Sequence, residues 1–114
     1  MVANDSVATP EWLARFFKGW FDPCPLNPTF DGLVVPWQDP TFANIPYSTP
    51  GPWVDKAIQE ASRGIRVVLL VRVDPSTHWW LKLVANGVRF AFFHGRIKFV
   101  GPNSPNFCSA LVFL

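Results

Sequence analysis

Apolar residues recur along the chain at two different spacings. After Thr9-Pro10, four of them share one helical face, which predicts a short helix that Thr9 caps and Gly19 ends. These four are Trp12, Leu13, Phe16 and Phe17. Ile65–Val73 is instead a nearly continuous run of β-branched residues and leucine, which is typical of a strand covered on both faces.

The other predicted elements lie between polar or proline-containing loops. In chain order they are a short strand at Trp20-Phe21, a strand at Phe42–Ile45, a helix from Gly51 to about Ser62, a helix at His78–Ala85, a strand at Val88–Phe93 and a strand at Ser109–Leu114. Residues 25–41 are expected to form a shaped loop with at most one short strand, near Gly32–Val35. Residues 1–8 are expected to be a loose tail and Gly101–Asn106 a polar loop. The alternation of strands and helices favours an α/β fold with a mainly parallel sheet.

Three polar corners follow predicted strands, and each contains a proline. They are Asp22–Pro25, Asn44–Tyr47 and Asp74–Thr77. Right-handed crossovers bring the carboxyl ends of parallel strands to one edge of the sheet, where α/β proteins bind ligands. The sequence therefore predicts a ligand site at this edge.

The corner Asn44–Tyr47 carries the most specific chemistry. Pro46 restricts the backbone before it, so that the Ile45 carbonyl is held rigidly beside the Asn44 amide. These two oxygens can accept hydrogen bonds, and the Tyr47 ring offers a stacking face, as a flipped-out base with an exocyclic amine requires. A strand end with an ordinary Asx-Pro turn explains the same residues equally well.

Composition limits the classes of function. The 114 residues predict one domain, residues 1–114, and a net charge of +2 permits a nucleic-acid partner without requiring one. Six Trp and eleven Phe supply a core and hint at an interface or a stacking surface. Two cysteines and two histidines have no metal-ligand spacing, so no metal is expected. No apolar run is long enough to span a membrane and no signal peptide is apparent, so a cytoplasmic protein is expected.

Motifs from Thr9 to Leu114 occur in an order that resembles one family. They are Thr9-Pro10-Glu11-Trp12-Leu13, Phe21-Asp22-Pro23-Cys24-Pro25, Asn44-Ile45-Pro46-Tyr47-Ser48, Pro52–Ala57, Thr77-His78-Trp79-Trp80, Gly95-Arg96-Ile97-Lys98-Phe99 and Ser109–Phe113. The third is similar to the Asn-Pro-Pro-Tyr motif of amino-methyltransferases, with Ile45 in place of the first proline. A backbone carbonyl acts at that position, so isoleucine can still supply it. Together the motifs resemble the phage-type DNA N6-adenine methyltransferases, the Dam-like family.

The resemblance implies a compact, truncated Rossmann-like fold of the S-adenosylmethionine-dependent methyltransferases, with a mostly parallel sheet and an antiparallel terminal strand. It implies methylation of the N6 amine of adenine in DNA, the adenine being flipped out, by a chain that a phage or prophage encodes. The implied catalytic residues are Asn44, Ile45, Pro46 and Tyr47. The implied cofactor-binding residues are Thr9, Pro10, Asp22, Pro23, Cys24 and Asn44. The implied nucleic-acid-binding residues are Tyr47, Ser48, Arg96 and Lys98.

Alternatives remain open at both levels. The chain could be an inactive relative that binds cofactor or nucleic acid, or an aromatic-rich structural or partner-binding module, and the aromatic surplus permits a homodimer. Among single residues, Asp22 could only shape a turn and Cys24 could only pack. Tyr47 could pack at the rim, and Arg96 with Lys98 could either contact phosphate or form a solvated edge.

Overall fold

The computed structural model describes residues 8–99 and 107–114. The predicted loop Gly101–Asn106 and all but the last residue of the predicted tail at residues 1–8 lie outside the described residues. Within these two ranges, four strands form one sheet in the order β1-β2-β4-β3. They are β1 (Thr41–Asn44), β2 (Val67–Arg72), β3 (Arg89–Phe92) and β4 (Ser109–Phe113).

The sheet is mixed. β1 pairs with β2 in parallel, whereas β4 is antiparallel to both β2 and β3. β1, β2 and β3 therefore run in one direction, and the expected antiparallel terminal strand is confirmed. Since β4 lies between β2 and β3, however, only one of the three pairings is parallel. The α/β class is confirmed, and three of the four strands run in one direction, although two of the three pairings involve the antiparallel β4.

Three helices accompany the sheet in the part of the chain that the structure describes. They are α1 (Glu11–Ala14), which continues as a 3₁₀ helix (Arg15–Phe17), α2 (Pro50–Ala61) and α3 (His78–Ala85). α3 begins where predicted because the Thr77 hydroxyl oxygen accepts the Trp80 N–H at 3.3 Å. α2 has prolines in its first turn, where the missing N–H costs no helical hydrogen bond. The proposed cap of α1 is wrong, because Pro10 occupies that position and no side chain caps the helix.

Each face of the sheet is covered by a different layer. α2 and α3, here called the helical layer, pack against alternate sheet residues such as Ala43 and Leu69, which are fully buried. On the other face, residues 11–17 and the extended segment 96–99 form the cavity layer. Its apolar side chains pack with Phe42, Val68 and Leu70. The period of two along β1 and β2 sends neighbouring residues to opposite layers.

Two further expectations are corrected. The strand at Trp20-Phe21 is reduced to one parallel bridge between Phe21 and Thr41, because Pro23 and Pro25 lack the N–H that would extend the ladder. Gly32–Val35 forms a turn within the expected loop, since the Asp31 carbonyl oxygen accepts the N–H groups of Val34 and Val35 at 3.0 and 3.1 Å.

The four apolar residues of the first helix do not form one buried face. Leu13 is buried, but Trp12 and Phe16 are 44% and 69% exposed. The helix tightens to 3₁₀ geometry at Arg15, and this changes the direction in which the following side chains point. The period of an α-helix therefore placed Phe16 on the wrong side of the helix.

Candidate active site

A cavity of about 370 Å³ lies between the cavity layer and the end of β1. It is lined by Ala8, Thr9, Ala14, Phe17, Trp20, Asp22, Cys24, Pro25, Leu26, Phe42 and Asn44. Four residues that the sequence singled out, Thr9, Asp22, Cys24 and Asn44, thus lie around one space although 35 positions separate the first from the last. The volume is within the range of about 300–1,000 Å³ that is usual for small-molecule sites.

The turn after Phe21 forms one wall of this cavity. The Cys24 N–H donates to Asp22 Oδ1 at 2.9 Å, so the carboxylate closes its own turn. Pro23 and Cys24 are buried beneath it. The Asp22 carboxyl group remains open to solvent on one side, yet desolvation by the surrounding protein raises its pKa, and the Cys24 N–H only partly offsets this. A carboxylate that is partly desolvated at a cavity wall favours a cationic ligand.

The opposite wall is the end of β1. Ala43 and Ile45 point towards the helical layer and are 0% and 4% exposed. The period of two therefore turns the half-buried Asn44 towards the cavity layer, together with Phe42. Pro46 is fully buried directly after this position. The amide of Asn44 is thus held at the wall of the cavity by a strand whose neighbouring residues are fixed in the core.

A second, narrow cavity adjoins Asn44 on its other side. It measures about 10 Å³, and Asn44, Ile45, Tyr47, Arg72, Phe99 and Phe107 are among its lining residues. The Tyr47 and Phe107 rings lie 5.4 Å apart with a 53° angle between their planes. This space holds no more than about one water molecule. Asn44 therefore separates a large cavity from a closed one that contains the predicted stacking residue.

Sequence reasoning missed the aromatic wall of the large cavity. Phe17 stacks on Phe42 with their ring centroids 4.1 Å apart and their planes 6° apart, and Trp20 meets Phe17 edge to face at 5.1 Å. One signal was available, because Phe42 stands two positions before Asn44 in a strand and so shares its face. Phe17 and Trp20 come from a segment whose packing no periodicity indicated.

Two predicted cofactor residues, Pro10 and Pro23, do not line the cavity, and Pro10 lies behind its wall. It is buried at the start of α1, and its carbonyl oxygen accepts the N–H groups of Leu13 and Ala14 at 3.0 and 2.9 Å. Pro10 is not among the residues that line the cavity, whereas the adjacent Thr9 is. Its position is consistent with a structural role in placing Thr9.

The third predicted corner does not reach this site. Asp74 Oδ2 accepts a hydrogen bond from Arg72 Nε at 3.1 Å, and Thr77 caps α3. Neither residue lines the large cavity or the narrow one. Two of the three corners, at Asp22 and Asn44, therefore meet at the cavity, whereas Asp74–Thr77 follows β2 at the same edge of the sheet and serves the helix.

The predicted nucleic-acid residues lie on the outer surface. Ser48, Arg96 and Lys98 are exposed, and Tyr47 is half-buried. Ile97 and Phe99 are buried in the cavity layer, so the extended segment alternates between the core and solvent. The direction of Lys98 is thus fixed by its apolar neighbours.

Two other kinds of feature are absent from the residues that the structure describes. Among residues 8–99 and 107–114, no group of three or more His, Cys, Asp or Glu side chains could hold a metal ion. No helix in these two ranges is long and apolar enough to cross a lipid bilayer.

Comparison with known proteins gives two matches. Residues 26–110 match the family model described as DNA N-6-adenine-methyltransferase (Dam). A protein of Haemophilus phage HP1 (strain HP1c1), described as DNA N-6-adenine-methyltransferase, is 30% identical over 116 aligned positions, which cover 85% of this chain and 67% of the relative. No solved structure matches the chain. The family match contains Asn44–Tyr47 and Arg96–Lys98, whereas Thr9–Cys24 precede it.

Proposed function

This chain belongs to the DNA N-6-adenine-methyltransferase (Dam) family, and we propose that it methylates the N6 amine of adenine in DNA with S-adenosylmethionine as the donor. The observation that carries this proposal is the position of Asn44. It lies between a cavity large enough for a cofactor and the space in front of Tyr47.

The large cavity suits the donor in chemistry as well as in volume. Asp22 places a carboxylate at the wall, which would bind the positively charged amino-acid end. Phe17, Trp20 and Phe42 offer apolar and aromatic surface for the adenosine part. Thr9 and Cys24 would line the same pocket, with Pro10 and Pro23 behind them. When bound, S-adenosylmethionine would supply an electrophilic methyl group.

The chain would act on the target amine by holding it. The Asn44 side-chain oxygen and the Ile45 carbonyl oxygen would accept hydrogen bonds from N6, which keeps the nitrogen lone pair directed towards the cavity. Pro46, fully buried, fixes the backbone between these acceptors and Tyr47. Such fixed dipoles stabilise the charge that develops on the amine without costly reorganisation.

Adenine does not fit the narrow cavity as it stands. The narrow cavity has a volume of only about 10 Å³, so the Tyr47 and Phe107 rings would have to separate before a base can stack on Tyr47. The chain would therefore bind a base that has left the DNA helix, and this base would replace Phe107 as the stacking partner of Tyr47. Ser48, Arg96 and Lys98 would contact the DNA outside this space.

Finer features belong to the same proposal. The antiparallel β4 next to two strands of common direction fits a truncated Rossmann-like methyltransferase fold, with residues 1–114 as one domain. The relative is a phage protein, and this chain would act on DNA in the cytoplasm of an infected cell. A homodimer stays a prediction.

Substitution Asn44→Ala tests the proposal. Loss of one positioned hydrogen-bonding group should lower methyl transfer to adenine by about 10²–10³-fold, while calorimetry still shows donor binding. Asn86→Ala is the matched control, because Asn86 is an exposed amide at the end of α3. Wild-type transfer by Asn44→Ala would overturn the role of Asn44. Donor binding by the wild type without any transfer would identify an inactive relative.

A further inference from the structure

Outside the wall of the large cavity lies a surface that the predicted site does not include. It consists of Trp12, Arg15, Phe16 and Lys18, with Lys98 on the neighbouring segment, and is here called the basic–aromatic strip. We propose that this strip binds single-stranded DNA and thereby holds the strand next to the target adenine. The inference rests on the proposed function, since it names the form of DNA that the site would receive.

Two large aromatic side chains of the strip are exposed. Phe16 is 69% exposed and Trp12 is 44% exposed, whereas Trp53, Trp79 and Trp80 are each at most 8% exposed in the helical layer. Exposed large rings cost solvation free energy unless a partner covers them. Arg15 Nε donates to the Trp12 carbonyl oxygen at 3.3 Å, which keeps a guanidinium group beside these rings.

The cations of the strip differ from those of the rest of the chain. All five ion pairs found among residues 8–99 and 107–114 hold cations between positions 56 and 82. Arg15, Lys18 and Lys98 take part in none of them. Their charge is therefore not neutralised by a carboxylate in an ion pair within those ranges. Phosphate groups are anionic partners that suit such a row.

The strip adjoins the proposed site. Trp12 meets Phe93 edge to face, with the ring centroids 5.9 Å apart, which joins α1 to the chain that leads to Lys98. Leu13 and Ile97 belong to one buried cluster, so the two segments cover the same face of the sheet. Ala14 and Phe17 line the large cavity, so their neighbours Arg15, Phe16 and Lys18 stand at its outer side.

The combination of exposed rings and unneutralised cations favours single-stranded DNA over the duplex. In a duplex the base faces are stacked on each other and cannot cover Phe16 or Trp12, whereas unpaired bases stack on aromatic side chains. Duplex DNA would satisfy only the cations. A protein partner or an anionic membrane offers no bases that could stack on the rings of Phe16 and Trp12.

Binding of labelled oligothymidine, measured by fluorescence anisotropy, tests the proposal. This strand contains no adenine, so binding does not depend on the Asn44 site. The wild type should bind it more tightly than a duplex of equal length. Phe16→Ala should weaken the binding about tenfold, because one stacked base is lost. Lys18→Ser should lower the slope of log affinity against log salt concentration by about 0.7, the contribution of one phosphate contact to a single strand.

Leu81→Ala is the matched control for Phe16→Ala, since Leu81 is 61% exposed on the helical layer. Lys82→Ser is the control for Lys18→Ser, since Lys82 is exposed and pairs with Asp55 at 2.8 Å. Both controls should bind as the wild type does. Equal binding of oligothymidine by the wild type, Phe16→Ala and Lys18→Ser would overturn the proposal that the strip binds DNA. So would tighter binding to the duplex, or to vesicles of anionic lipid.

Failure of the strip can be told apart from failure of the proposed function. If the wild type methylates adenine but Phe16→Ala binds oligothymidine as the wild type does, the proposal for the strip is wrong and the proposed enzymatic activity is retained. If oligothymidine binding depends on Phe16 and Lys18 but no adenine is methylated, the strip is supported and the proposed activity falls.

Discussion

The two layers that cover the sheet use the same residue types in opposite ways. In the helical layer, tryptophans are buried and the cations of α2 and α3 are paired with carboxylates. In the cavity layer, Trp12 and Phe16 are exposed and Arg15 and Lys98 take part in none of the five ion pairs. The difference indicates that the helical layer provides most of the stability. The cavity layer retains surface for ligands at some cost in burial.

The largest effect that would sharpen this comparison is expected in the helical layer. Leu83 is fully buried between α3 and the sheet, so Leu83→Ala should lower the free energy of unfolding by about 2–5 kcal/mol. Leu81→Ala, on the exposed side of the same helix, should change it by less than about 0.5 kcal/mol. Urea unfolding measures both. Equal losses would show that α3 is not packed as described.

A second effect is expected where the two layers meet. A Cβ on Gly32 would overlap the Pro23 carbonyl oxygen and lie 2.9 Å from Trp53 Cη2, so the Asp22 turn would have to move. Gly32→Ala should therefore cost about 1–3 kcal/mol of stability and also weaken donor binding. Unfolding and calorimetry on one preparation measure the two quantities.

Gly51→Ala is the control for Gly32→Ala, because a Cβ at Gly51, within α2, meets no atom within 4 Å. It should leave stability unchanged or raise it by about 0.4–1 kcal/mol. Intact stability and donor binding in Gly32→Ala would contradict the close approach of the loop to the turn.

A smaller effect separates two threonines that precede helices. Thr77→Ala removes the cap of α3 and should cost about 1 kcal/mol in stability. Thr9→Ala should leave the stability unchanged, since Thr9 does not cap α1, but should weaken donor binding because Thr9 lines the large cavity. Thermal unfolding of both variants measures the difference in stability, and titration with the donor measures the difference in binding. A stability loss for Thr9→Ala equal to that for Thr77→Ala would contradict it.

The smallest effect concerns two carboxyl groups with opposite pKa shifts. Burial acts to raise the pKa of Glu60, but hydrogen bonds from Arg63, from the Trp37 N–H and from Lys56 outweigh it and lower the pKa. A lowered pKa in the folded state gives stability that is present above the unfolded value and is lost as the pH falls through the folded one. The free energy of unfolding, measured with urea, should thus decrease when the pH is lowered below about 4. Glu60→Gln should reduce this dependence on pH.

Asp22 should behave in the opposite sense. Desolvation raises its pKa in the folded state, so its charged form opposes folding once the pH is above that value, and the penalty disappears below the unfolded value. Asp22→Asn should therefore slightly raise stability at neutral pH. A loss of stability at neutral pH would show that the carboxylate is needed to hold the turn at Cys24.

Local pattern was enough for elements whose neighbours in sequence decide their structure. α3 was predicted to the residue, since Thr77 and a compact apolar stripe define it. β2 was predicted because residues that are buried on both faces must all be apolar. Asn44 and Asp22 were expected at one edge because strand ends of common direction meet there, and the large cavity joins them.

Position between distant segments was not determined by local pattern. The insertion of β4 between β2 and β3, the exposure of Phe16 and the stacking of Phe17 on Phe42 all depend on contacts between segments far apart in the chain or on a change of helix type. By itself the sequence determined which residues could carry the chemistry and that strands and helices alternate. Only the tertiary structure decided which aromatic rings form the cavity wall and which face solvent. The reason is that the burial of a side chain depends on which distant segment packs against it, and not on its position in the local hydrophobic pattern.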